Sequence, residues 1–270
     1  MTRVSNRSQF DLSGKVAIVT GGAGILGKHF CTGLANAGAN VVVVDRNQEA
    51  AAEVAAGLKG DPLAYAADIT DESALSALVD RVHTQYGRID ILHNNAATKP
   101  QNLARFFDPV ETFDMAIWHE VMRVNLDAMF MVAKHVGGYM AEKGGGSIIQ
   151  TASIYGIMAP DQRIYEGSEY MGGAINTPAV YSASKAGVVG LTKYLASYWG
   201  AKRVRVNTLT PGGVESGQNE RFIEQYSARV PLGRMAQAEE MVGALVFLAS
   251  DAASYITGHN LVVDGGLSAW

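Results

Sequence analysis

A tyrosine and a lysine stand four residues apart, at Tyr181 and Lys185, in a segment whose apolar spacing predicts a helix. Residues at this spacing share one helix face, so both side chains can reach one cavity. A free phenol has a pKa of about 10, but a nearby ammonium favours the phenolate and lowers that pKa. Such a pair can move the hydroxyl proton when a hydride passes between a carbinol carbon and nicotinamide. The same spacing also arises from a core aromatic beside a solvated amine.

A glycine-rich stretch, Thr20–Gly27 (TGGAGILG), follows the first predicted strand and precedes a helix. Glycines let backbone N–H groups approach a pyrophosphate, and the helix N-terminus adds a partial positive charge. The stretch is therefore a candidate phosphate loop, although glycine-rich turns also merely connect strands to helices. The loop residues that we expect at a dinucleotide are Gly21, Gly24, Ile25 and Leu26.

A carboxylate, Asp45, ends the second predicted strand. It can accept both ribose hydroxyls of adenosine and repels a 2′-phosphate, so it favours NAD over NADP. Arg46 is the counterargument, since a guanidinium there can pair with a phosphate. A turn-capping role before Asn47 is the alternative for Asp45.

Two further strand tips carry candidate cofactor residues, because ligands of open α/β sheets bind at the carboxyl ends of strands. Asp68, followed by Ile69, can meet an adenine amino group or cap the helix that begins near Asp71. The small and amide residues that end the fourth strand are Asn94, Asn95, Ala96 and Ala97. They leave room for a flat ligand, and the asparagines can fix the loop by local hydrogen bonds.

The elements that must position these residues alternate between short β-branched runs and longer helical segments. The predicted strands are Lys15–Thr20, Asn40–Asp45, Leu63–Ala67, Ile89–His93, Ser147–Thr151, Arg203–Leu209 and Asn260–Asp264. The predicted helices are Ile25–Ala37, Gln48–Leu58, Asp71–Tyr86, Met115–Glu142, Tyr181–Gly200 and Ala238–Ser250. This alternation predicts one Rossmann-like α/β domain over residues 12–270, a doubly wound parallel sheet of about seven strands flanked by helices. We expect residues 1–11 to form an N-terminal arm.

Composition excludes several classes of protein. The chain has 270 residues, of which 48% are hydrophobic and 18% charged, and a net charge of −4. A chain of this size and composition can bury a hydrophobic core without a disulfide or metal crosslink. No Lys/Arg cluster of the kind that neutralises phosphate backbones is present, which argues against nucleic-acid binding. Met1–Phe10 lacks the apolar region of a signal peptide, and no stretch is long enough to span a membrane. We expect a cytoplasmic protein that binds a small-molecule substrate and has no metal site.

The order of the motifs resembles that of the short-chain dehydrogenase/reductase family, from about Leu12 to Ser268. Beyond the glycine loop, the shared motifs are the NNA segment, Asn125 in VNLDAMF, Ser153 in TASIYG, Tyr181-Ser-Ala-Ser-Lys185, Pro211-Gly212 and ITGHNLVVDGG. The resemblance implies an NAD(H)-dependent oxidoreductase that interconverts a secondary alcohol and a ketone or aldehyde. It also implies a homo-oligomer, a tetramer or dimer, that pairs through Met115–Glu142 and Tyr181–Gly200.

The resemblance assigns roles to individual residues. Asn125 would bend its helix and hold a water in a proton path with Lys185, Ser153 would hydrogen-bond the substrate oxygen near Tyr181, and Lys185 would also hold the nicotinamide ribose. The alternatives are a surface asparagine and a turn-capping serine. The residues that would line the nicotinamide are Pro211, Gly212, Val214 and Ser216.

The chain departs from the family pattern at three places. Ile25 stands where the usual loop has glycine, a form shared by a smaller group within the family, and Ala97 replaces another glycine. Ser153 and Tyr181 are also separated by more residues than is usual, because of the segment Ile157–Ala179. The segment's candidate substrate-binding residues are Asp161, Gln162, Arg163, Tyr165, Glu166, Glu169 and Tyr170.

The long segment leads to a hypothesis about the substrate. A similar IYG…AP…IYEG stretch occurs in relatives associated with bacterial sugar modification, including flagellin-glycosylation oxidoreductases, so we expect a sugar, polyol or sugar acid. A lid or an oligomer contact is the alternative role for the segment.

Two other functions are possible for the whole protein: a 3-oxoacyl-(acyl carrier protein) reductase that uses NADPH and a non-catalytic NAD-binding protein. The presence of all four residues Asn125, Ser153, Tyr181 and Lys185 favours catalysis.

Overall fold

Nine strands form in the part of the chain that the computed structural model describes, which is residues 9–100, 102–103, 105–170 and 173–270. The strands are β1 (Val16–Thr20), β2 (Asn40–Asp45), β3 (Leu63–Ala66), β4 (Ile91–Asn94), β5 (Gly146–Thr151), β6 (Glu169–Tyr170), β7 (Gly173–Ala174), β8 (Val204–Pro211) and β9 (Asn260–Val263). Seven of them form one sheet in the order β3-β2-β1-β4-β5-β8-β9, in which every neighbouring pair is parallel. The predicted Rossmann-like α/β fold is confirmed.

Eight α-helices flank the sheet within the described residues. They are α1 (Gly27–Asn36), α2 (Gln48–Ala56), α3 (Glu72–Tyr86), α4 (Met115–Met122), α5 (Ala128–Lys143), α6 (Ala179–Trp199), α7 (Glu220–Ser227) and α8 (Val242–Ala249). The single helix predicted over Met115–Glu142 is wrong in one respect, because a π-helical turn over Arg123–Asp127 separates α4 from α5. The predicted helix Ala238–Ser250 likewise begins as a 3₁₀ turn over Ala238–Met241.

The sheet is covered on both faces by two separate hydrophobic cores. Along β2, Val42 and Val44 face the core beneath α3, α5 and α6, whereas Val41 and Val43 face the core beneath α1, α2 and α8. Alternate residues of a strand point to opposite faces, which explains why this strand is apolar throughout. The parallel register brings the carboxyl ends of β1, β2, β4, β5 and β8 to one edge of the sheet.

Residues 1–8 of the predicted N-terminal arm lie outside the described residues. The two residues that follow already contact the domain, since the Ala252 N–H donates to the Gln9 carbonyl at 3.2 Å and the Phe10 ring centroid lies 6.4 Å from that of Phe247. Of the helices in the described ranges, none has the length and apolar character needed to cross a bilayer.

Candidate active site

The glycine-rich loop folds back against the tip of β4. Gly21 has a φ of +63°, and a Cβ built on it would lie 2.9 Å from the Ala96 Cα. A Cβ on Gly27 would collide with the Gly21 carbonyl oxygen. The Leu26 cap of α1 makes no side-chain hydrogen bond, so the loop presents backbone N–H groups rather than a capping side chain. This glycine cradle fits a dinucleotide pyrophosphate.

Asp45 lies beside this loop at the tip of β2. Its carboxylate accepts from the Ala23 N–H at 3.2 Å and from the Asn47 N–H at 3.1 Å. The turn-capping alternative is thus present in the structure through the Asn47 N–H, and the bond from the Ala23 N–H also ties the turn to the glycine loop. The carboxylate stays partly exposed, and no carboxylate among the described residues pairs with the exposed Arg46.

Asp68 does not cap the following helix. Its carboxylate accepts from the backbone N–H and the hydroxyl of Thr70, at 2.8 and 2.7 Å, and these bonds lower its pKa. Asp71 caps α3 instead, through the Ser73 N–H at 2.9 Å. The helix-capping alternative for Asp68 is therefore wrong, and its exposed side chain stands next to the buried Ile69.

The tip of β4 is fastened to the glycine loop. Thr20 Oγ1 accepts from the backbone N–H groups of Asn95 and Ala96, at 3.0 and 3.2 Å. The Asn95 amide donates in turn to the carbonyls of Thr20 and Gly21, at 3.3 and 3.4 Å. The local hydrogen bonds predicted for this asparagine are therefore replaced by bonds to a neighbouring strand tip.

Asn125 lies at the centre of the π-helical turn and is fully buried. Its Oδ1 accepts from the Thr98 N–H at 2.8 Å, while its Nδ2 has no partner among the described residues. The alternative of a surface asparagine is wrong. The buried donor matches the water-holding role that the resemblance implied, because a buried amide without a protein partner is costly unless water or a ligand satisfies it.

Lys185 lies inside the protein, with 3% of its surface exposed. Its Nζ donates to the Thr151 carbonyl at 3.0 Å, and burial lowers the pKa of the amine to about 8. The Thr151 carbonyl is an acceptor that favours the protonated form of this amine. The alternative of a solvated lysine is wrong.

Tyr181 lies one turn before Lys185 in α6. Burial raises the pKa of its phenol, a hydrogen bond with Ser153 lowers it, and the neighbouring Tyr165 raises it further. The net shift is upward. The Lys185 ammonium donates to the Thr151 carbonyl, and its expected lowering of the Tyr181 pKa stays a prediction. Ser153 favours the phenolate.

A cavity of about 440 Å³ opens beside Tyr181 and Ser153. Hydroxyl and amide side chains line it together with aromatic rings. The tyrosines on its wall are Tyr155, Tyr165, Tyr181 and Tyr226. A second cavity of about 530 Å³ lies at the amino ends of β1, β4 and β5 and includes none of the predicted site residues, so the chemistry belongs to the first.

The long segment before α6 forms part of the cavity wall. Of the segment residues predicted to bind substrate, only Tyr165 lines the cavity. Asp161 pairs with Arg163 and with Arg229, and Glu166 contributes its carbonyl to the Arg221 guanidinium at 2.8 Å. The segment residues that line the cavity are Tyr165, Asn176, Thr177 and Pro178. Gln162 and the charged side chains of the segment are absent from that lining, and the side chain of Tyr170 lies outside the described residues.

The α7 helix completes the cavity and was missed from the sequence. It begins after Asn219, whose side chain accepts from the Phe222 N–H at 2.8 Å. Phe222 and Tyr226, four apart, are buried and line the cavity. The asparagine cap and the aromatic pair at helical spacing could have identified this short helix.

The tip of β8 forms the floor next to Tyr181. The Gly212 N–H donates to the Val263 carbonyl at 2.8 Å, and Gly212 lines the cavity after the buried Pro211. Gln218 closes the following turn, since it donates to the Val214 carbonyl at 3.0 Å and accepts from the Ser216 N–H at 2.7 Å. The predicted nicotinamide-lining residues thus lie on one ordered turn.

The chain is similar to known proteins over nearly its whole length. A family model described as enoyl-(acyl carrier protein) reductase matches residues 21–268. The D-threitol dehydrogenase of Mycolicibacterium smegmatis is 38% identical over 95% of this chain and 94% of the relative. The 3-oxoacyl-[acyl-carrier-protein] reductase of Thermotoga maritima is 35% identical over 95% of this chain and 98% of the relative.

Solved structures with bound nicotinamide cofactors share the fold. A gluconate 5-dehydrogenase from Burkholderia cenocepacia, in complex with NADP and tartrate, is 33% identical with a TM-score of 0.83, covering 97% of this chain and 98% of that chain. A short chain dehydrogenase from Leptospira borgpetersenii with bound NAD+ is 31% identical with a TM-score of 0.83, covering 99% of this chain and 98% of that chain.

Proposed function

Since the chain belongs to the short-chain dehydrogenase/reductase family and is an oxidoreductase of CH–OH groups, we propose that it oxidises a sugar, polyol or other polar hydroxylated substrate with NAD. The observation that carries this proposal is the cavity beside Tyr181 and Ser153. Its wall combines tyrosine hydroxyls with the side chains of Asn176 and Thr177. The Thr177 hydroxyl is hydrogen-bonded to Tyr165, whereas Asn176 Oδ1 has no partner among the described residues and can accept a substrate hydroxyl.

The cofactor would be held by the residues at the strand tips. The glycine cradle before α1 fits the pyrophosphate, Asp45 would accept the adenosine ribose hydroxyls, and the turn from Gly212 to Ser216 would line the nicotinamide. When bound, NAD accepts the hydride from the carbinol carbon, or NADH returns it.

The chain's own residues handle the proton. Ser153 and Tyr181, which both line the cavity, would hold the substrate oxygen between their hydroxyls. In the oxidation direction the Tyr181 phenolate takes the hydroxyl proton, and in the reduction direction the phenol gives it back. The buried Lys185 ammonium and the unpartnered Asn125 amide would link this proton to water.

NAD is proposed over NADP because Asp45 supplies a negative charge where a 2′-phosphate would lie. Its carboxylate is held in place by the Ala23 and Asn47 N–H groups. Arg46, the residue that follows Asp45, carries a positive charge that could pair with a 2′-phosphate. The family includes members with either cofactor. Cofactor preference is therefore part of the test.

A second candidate function is the reduction of a 3-oxoacyl thioester with NADPH, which the Thermotoga maritima relative supports by its name. The long segment before α6 argues against it, because that segment and α7 wall the cavity with polar and aromatic side chains. An acyl chain makes no use of the Asn176 and Thr177 groups.

Initial rates over a matched panel test the proposal. NADH formation is followed with alditols, aldonates and aldoses, and NADH or NADPH consumption with ketoses and acetoacetyl thioesters. We expect turnover of members of the sugar panel with NAD and a lower kcat/KM with NADP. Turnover confined to the acyl thioesters with NADPH would establish the second candidate instead.

A further inference from the structure

We propose that Lys99 forms a carboxylate-binding subsite in the substrate cavity, so that the preferred substrate is a hydroxylated carboxylate rather than a neutral polyol. This inference rests on the proposed function and narrows its substrate class. It starts from the charges on the cavity wall.

Lys99 is the one formally charged side chain among the described residues that line the cavity. The remaining wall consists of tyrosine and phenylalanine rings, small residues, hydroxyls and amides. No carboxylate faces the lysine within this lining. Lys99 is exposed, so its ammonium is free to meet an anion that enters the cavity, and a single positive charge in such a lining raises the local concentration of anions.

The backbone that carries Lys99 is held by Asn125 and by a local bond of Thr98. The preceding Thr98 donates its N–H to Asn125 Oδ1 at 2.8 Å, and its hydroxyl donates to the Lys99 carbonyl at 2.9 Å. Pro100, which follows, is buried. The lysine side chain therefore extends from a fixed anchor beside the reacting centre.

No carboxylate of the described residues forms an ion pair with Lys99. Asp161, in the segment before α6, is paired with Arg163 and Arg229. A neutral polyol would leave this ammonium without a charge partner. The carboxylate of an aldonate or of a hydroxylated ring acid would supply one.

A second polar group on the same wall suits the rest of such a substrate. Asn176 donates its amide to the Phe107 carbonyl at 2.8 Å, whereas its buried Oδ1 has no partner among the described residues. That oxygen can accept a substrate hydroxyl. Lys99 would then hold the carboxylate while Asn176 and Ser153 hold hydroxyl oxygens, which fixes the substrate at three points.

The test is calorimetric binding to the NADH complex, in which an alcohol substrate cannot react. Three matched pairs are titrated: threonate with threitol, xylonate with xylitol, and gluconate with glucitol. We expect at least one aldonate to bind about 10- to 100-fold more tightly than its alditol, as for a hydrogen bond to a charged group. Lys99→Gln should remove that difference without changing alditol affinity, and Lys99→Arg should keep it.

The controls separate the alternatives. Lys59→Gln removes a charge from an exposed turn far from the cavity and should change neither affinity. NADH should bind Lys99→Gln and wild type equally. Equal binding of each pair by wild type, no binding of any pair, or weaker NADH binding by Lys99→Gln would each overturn the subsite. Turnover of polyols without a carboxylate preference would overturn it and leave the proposed function standing.

Discussion

At the scale of single residues, the proton chemistry depends on the balance of effects at Tyr181. Burial and Tyr165 raise the pKa of its phenol, and only the Ser153 hydrogen bond lowers it. Oxidation needs the phenolate as the base, so its rate should rise with pH. Ser153 then controls where on the pH scale that rise occurs.

Replacing Ser153 by Ala should move the alkaline rise of oxidation to higher pH by about one to two units, because the phenolate loses a hydrogen bond to a charged group. At neutral pH the oxidation rate should fall about 10- to 100-fold. The measurement is kcat/KM for oxidation as a function of pH. An unshifted profile with a lower plateau would mean that Ser153 positions substrate without tuning Tyr181.

Replacing Asp45 by Asn should raise the ratio of kcat/KM for NADP to that for NAD by about 10-fold or more, since the charge that repels a 2′-phosphate is removed. Asparagine keeps an acceptor for the Ala23 N–H, so the glycine loop is preserved. Glu49→Gln, a nearby exposed charge change, is the control. If the ratio stays constant, Asp45 does not select the cofactor.

Tyr181 and Lys185 could be singled out from their types and spacing, and Asn125 and Ser153 from the family resemblance, but the partners of these residues could not be predicted. The bond from Lys185 to the Thr151 carbonyl involves a backbone group on another strand, which no side-chain motif records. For the same reason the bond from the Ala23 N–H to Asp45 could not be predicted, because it depends on how β1 and β2 lie side by side.

At the scale of elements, the seven sheet strands were predictable because each is a short run rich in β-branched or other apolar residues, between longer helical segments. The π-helical turn over Arg123–Asp127 was not placed by periodicity, since one extra residue in a helix barely changes its apolar pattern. The segment before α6 has no period at all. Its path depends on α7, through the bond from Arg221 to the Glu166 carbonyl.

Replacing Arg221 by Ala should loosen the segment and raise KM for the best substrate about 3- to 10-fold, the effect of one lost hydrogen bond, with little change in NADH affinity. Steady-state kinetics and limited proteolysis of the segment are the measurements. Glu224→Ala, on an exposed face of the same helix, is the control. An unchanged KM would assign the segment a role other than shaping the substrate cavity.

At the scale of the whole molecule, the aromatic face predicted for α6 divides into two parts. Trp199 is buried in the core and Tyr181 lines the cavity, whereas Tyr194 and Tyr198 are 64% and 62% exposed and stack on each other. Exposed large aromatics next to one another mark a contact surface. The predicted pairing of subunits through α6 remains a prediction.

The double substitution Tyr194→Glu with Tyr198→Glu should shift the protein to a smaller species, because it places two charges in a buried contact. Light scattering after size-exclusion chromatography measures the mass. Tyr255→Glu, at a fully exposed tyrosine elsewhere, should leave the mass unchanged. An unchanged mass for the double variant would remove α6 from the subunit interface.

The central claim, that Tyr181 carries the proton in an oxidoreductase reaction, is tested most directly by Tyr181→Phe. Phenylalanine keeps the ring and removes only the hydroxyl, so single-turnover NADH formation should fall by about 10³-fold while the Kd for NADH stays within about twofold. Tyr194→Phe, the same change on the exposed face of α6, should have no effect. Turnover by Tyr181→Phe at the wild-type rate would contradict the account.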